Sequence, residues 1–524
     1  MTIFYVGCVR GTNPAKAGFF FGDKIVELHE HITWYIEKES KKLTERHHAY
    51  HNALHVENER KLSRSSSPTN LKKVVKPPQW LKDKKFDPFY VRKHAKTIAY
   101  SIAKKIEEKS YEPYLPAKND IAKSSGGYRE VAVYQIPDAA ISTFFYHRLL
   151  KKNKHRFSSF SYAYRDDRNV HFAIQDIAVE LSQNSRLFVA EFDFSKFFDT
   201  ISHSYLFEQF DKNGFYISTE ERSVIKAFLK GRDEGIPQGA SISLFLANLA
   251  CWKLDKQLER EGLQFARYAD DTIIWSQDYT KITKALDIMT SFSKDVGVAL
   301  NPQKSEGISL LCPNEMQSEF YKTKECVEFL GYSISVDKVS IKEASVIKMK
   351  REISYILFKH LIQPLQSAQL KALKIPANNQ DEALLSAICE IRRYMYGNLS
   401  ESMLESYLTG RSNRIFFKGI MSFYPLINDE QQMTSLDGWL VNAIFKAVQK
   451  RSKLLTSHRQ PRTHSFPFNV SRKDLLIGCN RSKVHGKRLL KYPSFLTIYQ
   501  AMQKGLVEDG ISGITNSNAN SYNY

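Results

Sequence analysis

The chain has 524 residues, 42% of them hydrophobic and 25% charged, which suits a globular protein with a sizeable core and excludes a disordered or fibrous one. Lys and Arg outnumber Asp and Glu by 76 to 56, and the net charge of +20 points to a polyanionic partner such as nucleic acid, against the plainer reading of a basic solvated surface. The six cysteines have no close pair and no apolar run reaches the roughly 18 residues of a membrane span, so zinc fingers and membrane proteins are excluded and a cytoplasmic protein with reduced thiols is expected.

Residues 1–79 read as an N-terminal extension whose first apolar segment is too short for a signal peptide. HITWYIEKESKKLTERHHAYHNALHVENERKL has helical periodicity, and SRSSSPTN reads as a flexible break after it. His47, His51 and His55 follow at i, i+4 and i+8, but no carboxylate or cysteine completes a ligand set, so they read as a solvated helix face. The helix is open to two placements, against the domain that follows or at the interface of a homo-oligomer.

A compact region is expected over 80–341. In it AKSSGGYREVAVYQI predicts a hairpin turning near Gly126 and Gly127, and LFVAEFD predicts a buried strand ending at Asp193. GIPQGASISLFLANLACWKLDKQLER reads as a loop opening into a long amphipathic helix, and FARYADDTIIW as two strand arms around Asp270 and Asp271. Residues 342–455 are helical by periodicity. Residues 456–524 complete a basic C-terminal region, with eleven Lys or Arg and a single acid, Asp474, between Arg451 and Lys491. That stretch reads as an arm for phosphate contacts, and the closing ISGITNSNANSYNY as a disordered tail.

Adjacent aspartates in a strand-like run repel each other and disfavour the strand, so they require a reason. A surface turn would tolerate them. A third carboxylate, Asp193, delivered by another strand, makes an acidic cluster that cations must neutralise. Mg²⁺ takes oxygen ligands and keeps positions open for phosphate oxygens, and two such ions can activate a hydroxyl and stabilise leaving pyrophosphate.

EFDFSKFFDTI, GIPQGASIS, YADD, LNPQKSEGI and FLGYSIS occur in the order of the palm of a reverse transcriptase. Upstream, GGYREVAVYQIPDAAISTFF and SSFSYAYRDDRNVHFAI resemble the fingers of prokaryotic members such as group II intron and related bacterial enzymes. The resemblance implies an α+β, right-hand polymerase fold, with fingers, a palm built on an antiparallel sheet and a helical thumb. It implies that Asp193 and Asp270 bind two Mg²⁺ ions, that Asp271 completes the acidic set, and that Lys304 protonates the leaving pyrophosphate. Phe198 matches the steric gate that selects deoxynucleotides, its plainer role being core packing. Gln238 and Gly239 match the loop against the incoming nucleotide, and Arg129 and Arg165 resemble fingers cations that face triphosphate or template.

The chain shows no endonuclease, integrase or RNase H pattern and no VTG motif, so it is most similar to stand-alone reverse transcriptases associated with antiphage defence. Those imply a cognate non-coding RNA as template, dNTPs as substrates and cDNA as product. Other readings stay open: a group II intron-like maturase, suggested by YADD and SLDGWLVNAIFKAVQKRSKLL; untemplated synthesis; synthesis primed from Tyr522 or Tyr524; and a non-catalytic RNA-binding scaffold.

Overall fold

The computed structural model describes residues 28–64, 71–122, 126–184, 186–313, 320–366, 381–412, 414–457, 466–484 and 486–515. Its first helix, α1 (Leu28–Arg64), lies against α3 (Pro88–Lys93), α4 (Ala95–Glu107) and α5 (Ile136–Asn153), with the short α2 (Gln79–Lys82) leading into them. Ile32 and Ile36, one turn apart, are fully buried against this group, so the N-terminal helix is part of the fingers core. His47 departs from the solvated face expected of it. Its ring stands 5.0 Å from Trp80 and 6.0 Å from Phe89, while His51 and His55 are exposed.

The expected hairpin is β1 (Ala117–Ala122) paired antiparallel with β2 (Tyr128–Val133). Gly126 and Gly127 take φ of 90° and 79° at its turn, a region open to glycine and costly for other residues. After α6 (Val170–Ser182) comes the central sheet: β3 (Leu187–Phe192), β4 (Gln264–Tyr268), β5 (Asp271–Ser276), β6 (Gly307–Leu311) and β7 (Thr323–Lys324). Among the described residues its order is β4-β5-β3-β6-β7, antiparallel except for the parallel β6–β7 edge. The helices α7 (Phe197–Thr200), α8 (His203–Lys212), α9 (Thr219–Leu229), α10 (Ser241–Arg260) and α11 (Tyr279–Val296) connect these strands.

Strand alternation sends successive side chains to opposite faces, and here both faces are buried. Leu187 and Val189 of β3, Ala266 and Tyr268 of β4, and Ile273 and Trp275 of β5 enter one core. Ala190 and Phe192, Phe265, and Ile274 from the same strands enter the other, shared with α5, α10 and α11. The sheet is therefore clamped between two cores, which fixes its register: a one-residue slip would exchange every side chain between them.

A small sheet, β8 (Cys326–Phe329), β9 (Tyr332–Ser335) and β10 (Val339–Ile341), leads into the thumb region of α12 (Glu343–Leu357), α13 (Glu382–Tyr396), α14 (Glu401–Leu408) and α15 (Glu430–Ser457). The C-terminal region is not a separate arm. Its helices α16 (Arg472–Arg481) and α17 (Phe495–Ile514) pack on α15 and α14 and share their core. Asp437 of α15 accepts from the backbone N–H of Phe495 and Leu496 and from Ser494 Oγ, so the thumb itself caps α17. Arg451, counted above with the basic arm, is buried and bonds to both carboxylate oxygens of Asp381 at 2.7 and 3.1 Å. Residues 511–514, expected in the disordered tail, complete α17, with Ile514 fully buried and its carbonyl accepting from Phe417 N–H at 3.0 Å. Tyr522 and Tyr524 lie outside the described residues. No helix among the described residues is long and apolar enough to cross a membrane.

Candidate active site

The paired aspartates sit where β4 turns into β5. The register pairs Tyr268 with Asp271 and leaves Ala269 and Asp270 as a two-residue turn. Ala269 takes φ of 60°, a left-handed conformation uncommon for a residue with a side chain. Arg267 holds it there. Its guanidinium donates to the Ala269 carbonyl at 2.9 Å, to both carboxylate oxygens of Asp255 at 2.6 and 2.7 Å, and to Ser161 Oγ at 2.7 Å. Arg267 and Asp255 are fully buried, so the left-handed turn rests on a bidentate ion pair sealed from water.

Asp193 arrives from the neighbouring strand. β3 pairs with β5 so that Phe192 faces Thr272, and the next step of that register sets Asp193 opposite Asp271. The loop after Leu300 wraps Asp193. Asn301 donates its backbone N–H to the Asp193 carbonyl at 2.8 Å and its side-chain amide to Oδ2 at 3.0 Å. Lys304 Nζ lies 3.1 Å from the same Oδ2, and Ser305 Oγ accepts from the Asp193 N–H at 3.3 Å.

Three carboxylates thus meet at one end of the sheet. Asp271 is open to solvent at its surface yet crowded by protein, and that crowding, with Asp270 and Asp193 adding to it, pushes its carboxyl up to about 7. Asp270 is also raised, first by burial and then by Asp193, with its own backbone N–H, Arg129 and Lys304 opposing. The donor set is all oxygen and its repulsion is only partly balanced, which fits Mg²⁺. Among the described residues no three His, Cys, Asp or Glu side chains converge as a ready ligand cage. Mg²⁺ does not demand one, because it binds through one or two carboxylates and fills the rest with water and phosphate oxygens.

The remaining residues fall on both sides of expectation. Phe198 is half-buried, packed against the core beside the buried Phe197, with its ring edge-on to Tyr164 at 6.4 Å. Gln238 donates to Asp199 Oδ1 at 3.1 Å, and its carbonyl accepts from Ala132 N–H of β2 at 2.7 Å. Gly239 does permit a close approach, but of the chain's own backbone: a Cβ there would lie 2.2 Å from the Ala132 carbonyl oxygen, and its φ is 109°. The hairpin is thereby docked on the PQG loop, and Arg129, exposed on β2, is one of the cations whose charge is felt at Asp270.

Arg165 is a correction. It is 6% exposed and turned inward, where it donates to both Asp167 oxygens at 2.9 and 2.8 Å and to the Ser161 carbonyl at 3.3 Å. Tyr164, with φ of 58°, reverses the backbone just before it. Arg165 therefore organises the 158–167 loop, whose Ser161 bridges to Arg267, and does not face a nucleotide. Arg267, Asp255 and Asn301 went unassigned from the sequence. An arginine amid the apolar residues of FARYADD was the available signal, since a charge in a doubly buried strand needs a buried partner.

Residues 118–334 match the model of the family described as reverse transcriptase (RNA-dependent DNA polymerase). Retron Ec86 reverse transcriptase of Escherichia coli is 32% identical over 125 residues, which are 23% of this chain and 35% of that protein. Protein YkfC of Escherichia coli strain K12 is 28% identical over 165 residues, 29% of this chain and 43% of that one. The chain thus spans between a third and a half of the length of these curated relatives. Among solved structures, telomerase from Candida tropicalis in complex with a fragment of telomeric RNA aligns at 12% identity over 79% of this chain and 77% of its own, with a TM-score of 0.34. Motif order, sheet topology and family match converge, and residues 118–334 are a reverse transcriptase domain related to those of bacterial enzymes.

Proposed function

We propose that the chain is an RNA-directed DNA polymerase that copies a cognate non-coding RNA into cDNA from dNTPs, in a cytoplasmic antiphage role. The observation that carries the reading is the register that brings Asp193 opposite Asp271, beside Asp270, with Lys304 Nζ on Asp193 Oδ2. Asp193 and Asp270 would hold Mg²⁺, with Asp271 completing the set. Bound there, two ions would supply Lewis-acid activation of a primer hydroxyl and neutralisation of the phosphates.

The chain's own groups divide the remaining work. Arg129 binds triphosphate from the fingers hairpin, its planar guanidinium suited to bidentate phosphate contacts. Gln238, held by Asp199, lies along the incoming nucleotide, and the Phe198 ring excludes a ribose 2′-hydroxyl. Lys304 Nζ gives its proton to a leaving pyrophosphate oxygen. The left-handed turn at Ala269, locked by Arg267, holds the two adjacent carboxylates in place before substrate arrives, so little reorganisation is needed during reaction.

The test is extension of a DNA primer on an RNA template with Mg²⁺ and dNTPs, beside sequencing of nucleic acids that co-purify. Wild-type protein is expected to extend the primer and to carry defined cDNA, and Asp270→Ala/Asp271→Ala to do neither while keeping its RNA. Phe198→Ala is expected to admit ribonucleotides. RNA carried equally by both proteins, with no extension by either, would replace the polymerase with an RNA-binding scaffold.

A further inference from the structure

The basic surface assigned from sequence lies at the C-terminal end, but the structure exposes a denser one on the fingers. Residues 71–97 carry nine Lys or Arg and two acids. Both acids are engaged by backbone: Asp83 accepts from Lys85 N–H at 2.7 Å and Asp87 from Phe89 N–H at 2.9 Å, each capping a helical turn. Lys73, Lys82, Lys84, Lys85, Arg92, Lys93 and Lys96 are all exposed.

This segment has a fixed shape. The Asn58 side-chain amide of α1 exchanges two hydrogen bonds with the backbone of Lys72, at 2.9 and 3.2 Å, pinning the extended chain to the helix. Two rings stand among the cations, Phe89 at 42% and Tyr90 at 37% exposure. Each is braced from behind: Phe89 by Trp80, His47 and His48 at about 6 Å, and Tyr90 by His94 at 4.4 Å. Lys84 Nζ lies 5.8 Å over the Tyr90 ring.

We propose that residues 71–97, laid on α1, form a surface outside the catalytic groove that binds single-stranded RNA. The exposed cations would contact phosphates, and Phe89 and Tyr90 would stack two unpaired bases. Cations flank the two rings on both sides along one short stretch, which suits a stacked strand and not a membrane interface. RNA is favoured over DNA because RNA must stay with the protein while product forms, a choice that rests on the polymerase reading above.

Full-length protein is titrated against a fluorescein-labelled single-stranded RNA across a series of salt concentrations, with the same sequence as DNA and phosphatidylserine vesicles in parallel. Arg92→Ala/Lys93→Ala/Lys96→Ala is expected to weaken RNA binding about tenfold or more and to lower the salt slope by about 2, the value for three lost contacts on a single strand. Phe89→Leu/Tyr90→Leu keeps apolar volume and is expected to weaken binding about tenfold with the slope unchanged. Unchanged RNA affinity and slope in both variants would overturn the proposal, as would equal binding of the DNA or loss of vesicle binding alone. Extension of a pre-annealed primer–template is measured on the same samples. Its failure in the wild type would sink the polymerase reading while leaving the binding result intact.

Discussion

Two antiparallel hairpins meet at the site, and they are secured in opposite ways. β4–β5 rests on Arg267 and Asp255, whose side chains are both 0% exposed, whereas β1–β2 is bridged by Lys118 and Glu130, which are 75% and 51% exposed. Removing one partner of a buried pair strands a charge and costs about 3–5 kcal/mol, while an exposed pair is worth at most about 1 kcal/mol. The carboxylates are thus set on a turn that cannot drift. Arg129 rides a hairpin whose cross-strand ion pair is open to water and whose base is docked on the PQG loop through Ala132.

Asp193→Asn or Asp270→Asn is expected to cut primer extension roughly a thousandfold, because about 4 kcal/mol of charge stabilisation is lost at about 1.4 kcal/mol per factor of ten. Thermal melting should hold or rise in these variants, as repulsion in the cluster is relieved. Arg267→Met alone is expected to lose about 3–5 kcal/mol of stability in denaturant titration. Adding Asp255→Leu should return much of that stability but not extension, since the Ala269 carbonyl still lacks its donor. Recovery of extension together with stability would reduce the pair to a folding device.

Smaller effects sharpen the contrast. Gly239→Ala should cost about 1–3 kcal/mol, because the added Cβ collides with the Ala132 carbonyl, and faster amide exchange in β2 would report it. The site also titrates. Asp271 moves from an ordinary 3.8 up to about 7, so between those values the folded metal-free protein holds more protons than the unfolded chain. Its stability contribution therefore falls as pH rises from about 4 to about 7 and levels off above. Mg²⁺ bound as proposed would displace that proton, so apparent Mg²⁺ affinity, read by calorimetry, should weaken about tenfold per pH unit below 7. The smallest change is expected of Lys118→Ala, within about 1 kcal/mol, as befits a pair open to water.

Much of this arrangement was legible in the residues. Period-two strands ending at Asp193 and flanking Asp270 and Asp271 carry their own direction, and the register follows from burial on both faces. Arg165 was misread because a motif names a residue without its orientation, and the positive φ of Tyr164 sends it inward. Gly239 allows a close backbone approach, and the backbone that approaches it is that of β2. The C-terminal region was misread because its basic composition masked a helical stripe: Phe495, Ile498, Ala501 and Met502 lie three, three and one residue apart and bury completely.

That last helix sets an order of assembly in time. During synthesis α14 and α15 emerge before α17, so the apolar faces that α17 covers must wait, wet and adhesive, for a segment still inside the ribosome. A chain interrupted before Phe495 would carry Asp193, Asp270 and Asp271 yet leave bare the faces of α14 and α15 that α17 covers. The last helix of the described residues therefore closes a core that the helices before it leave open.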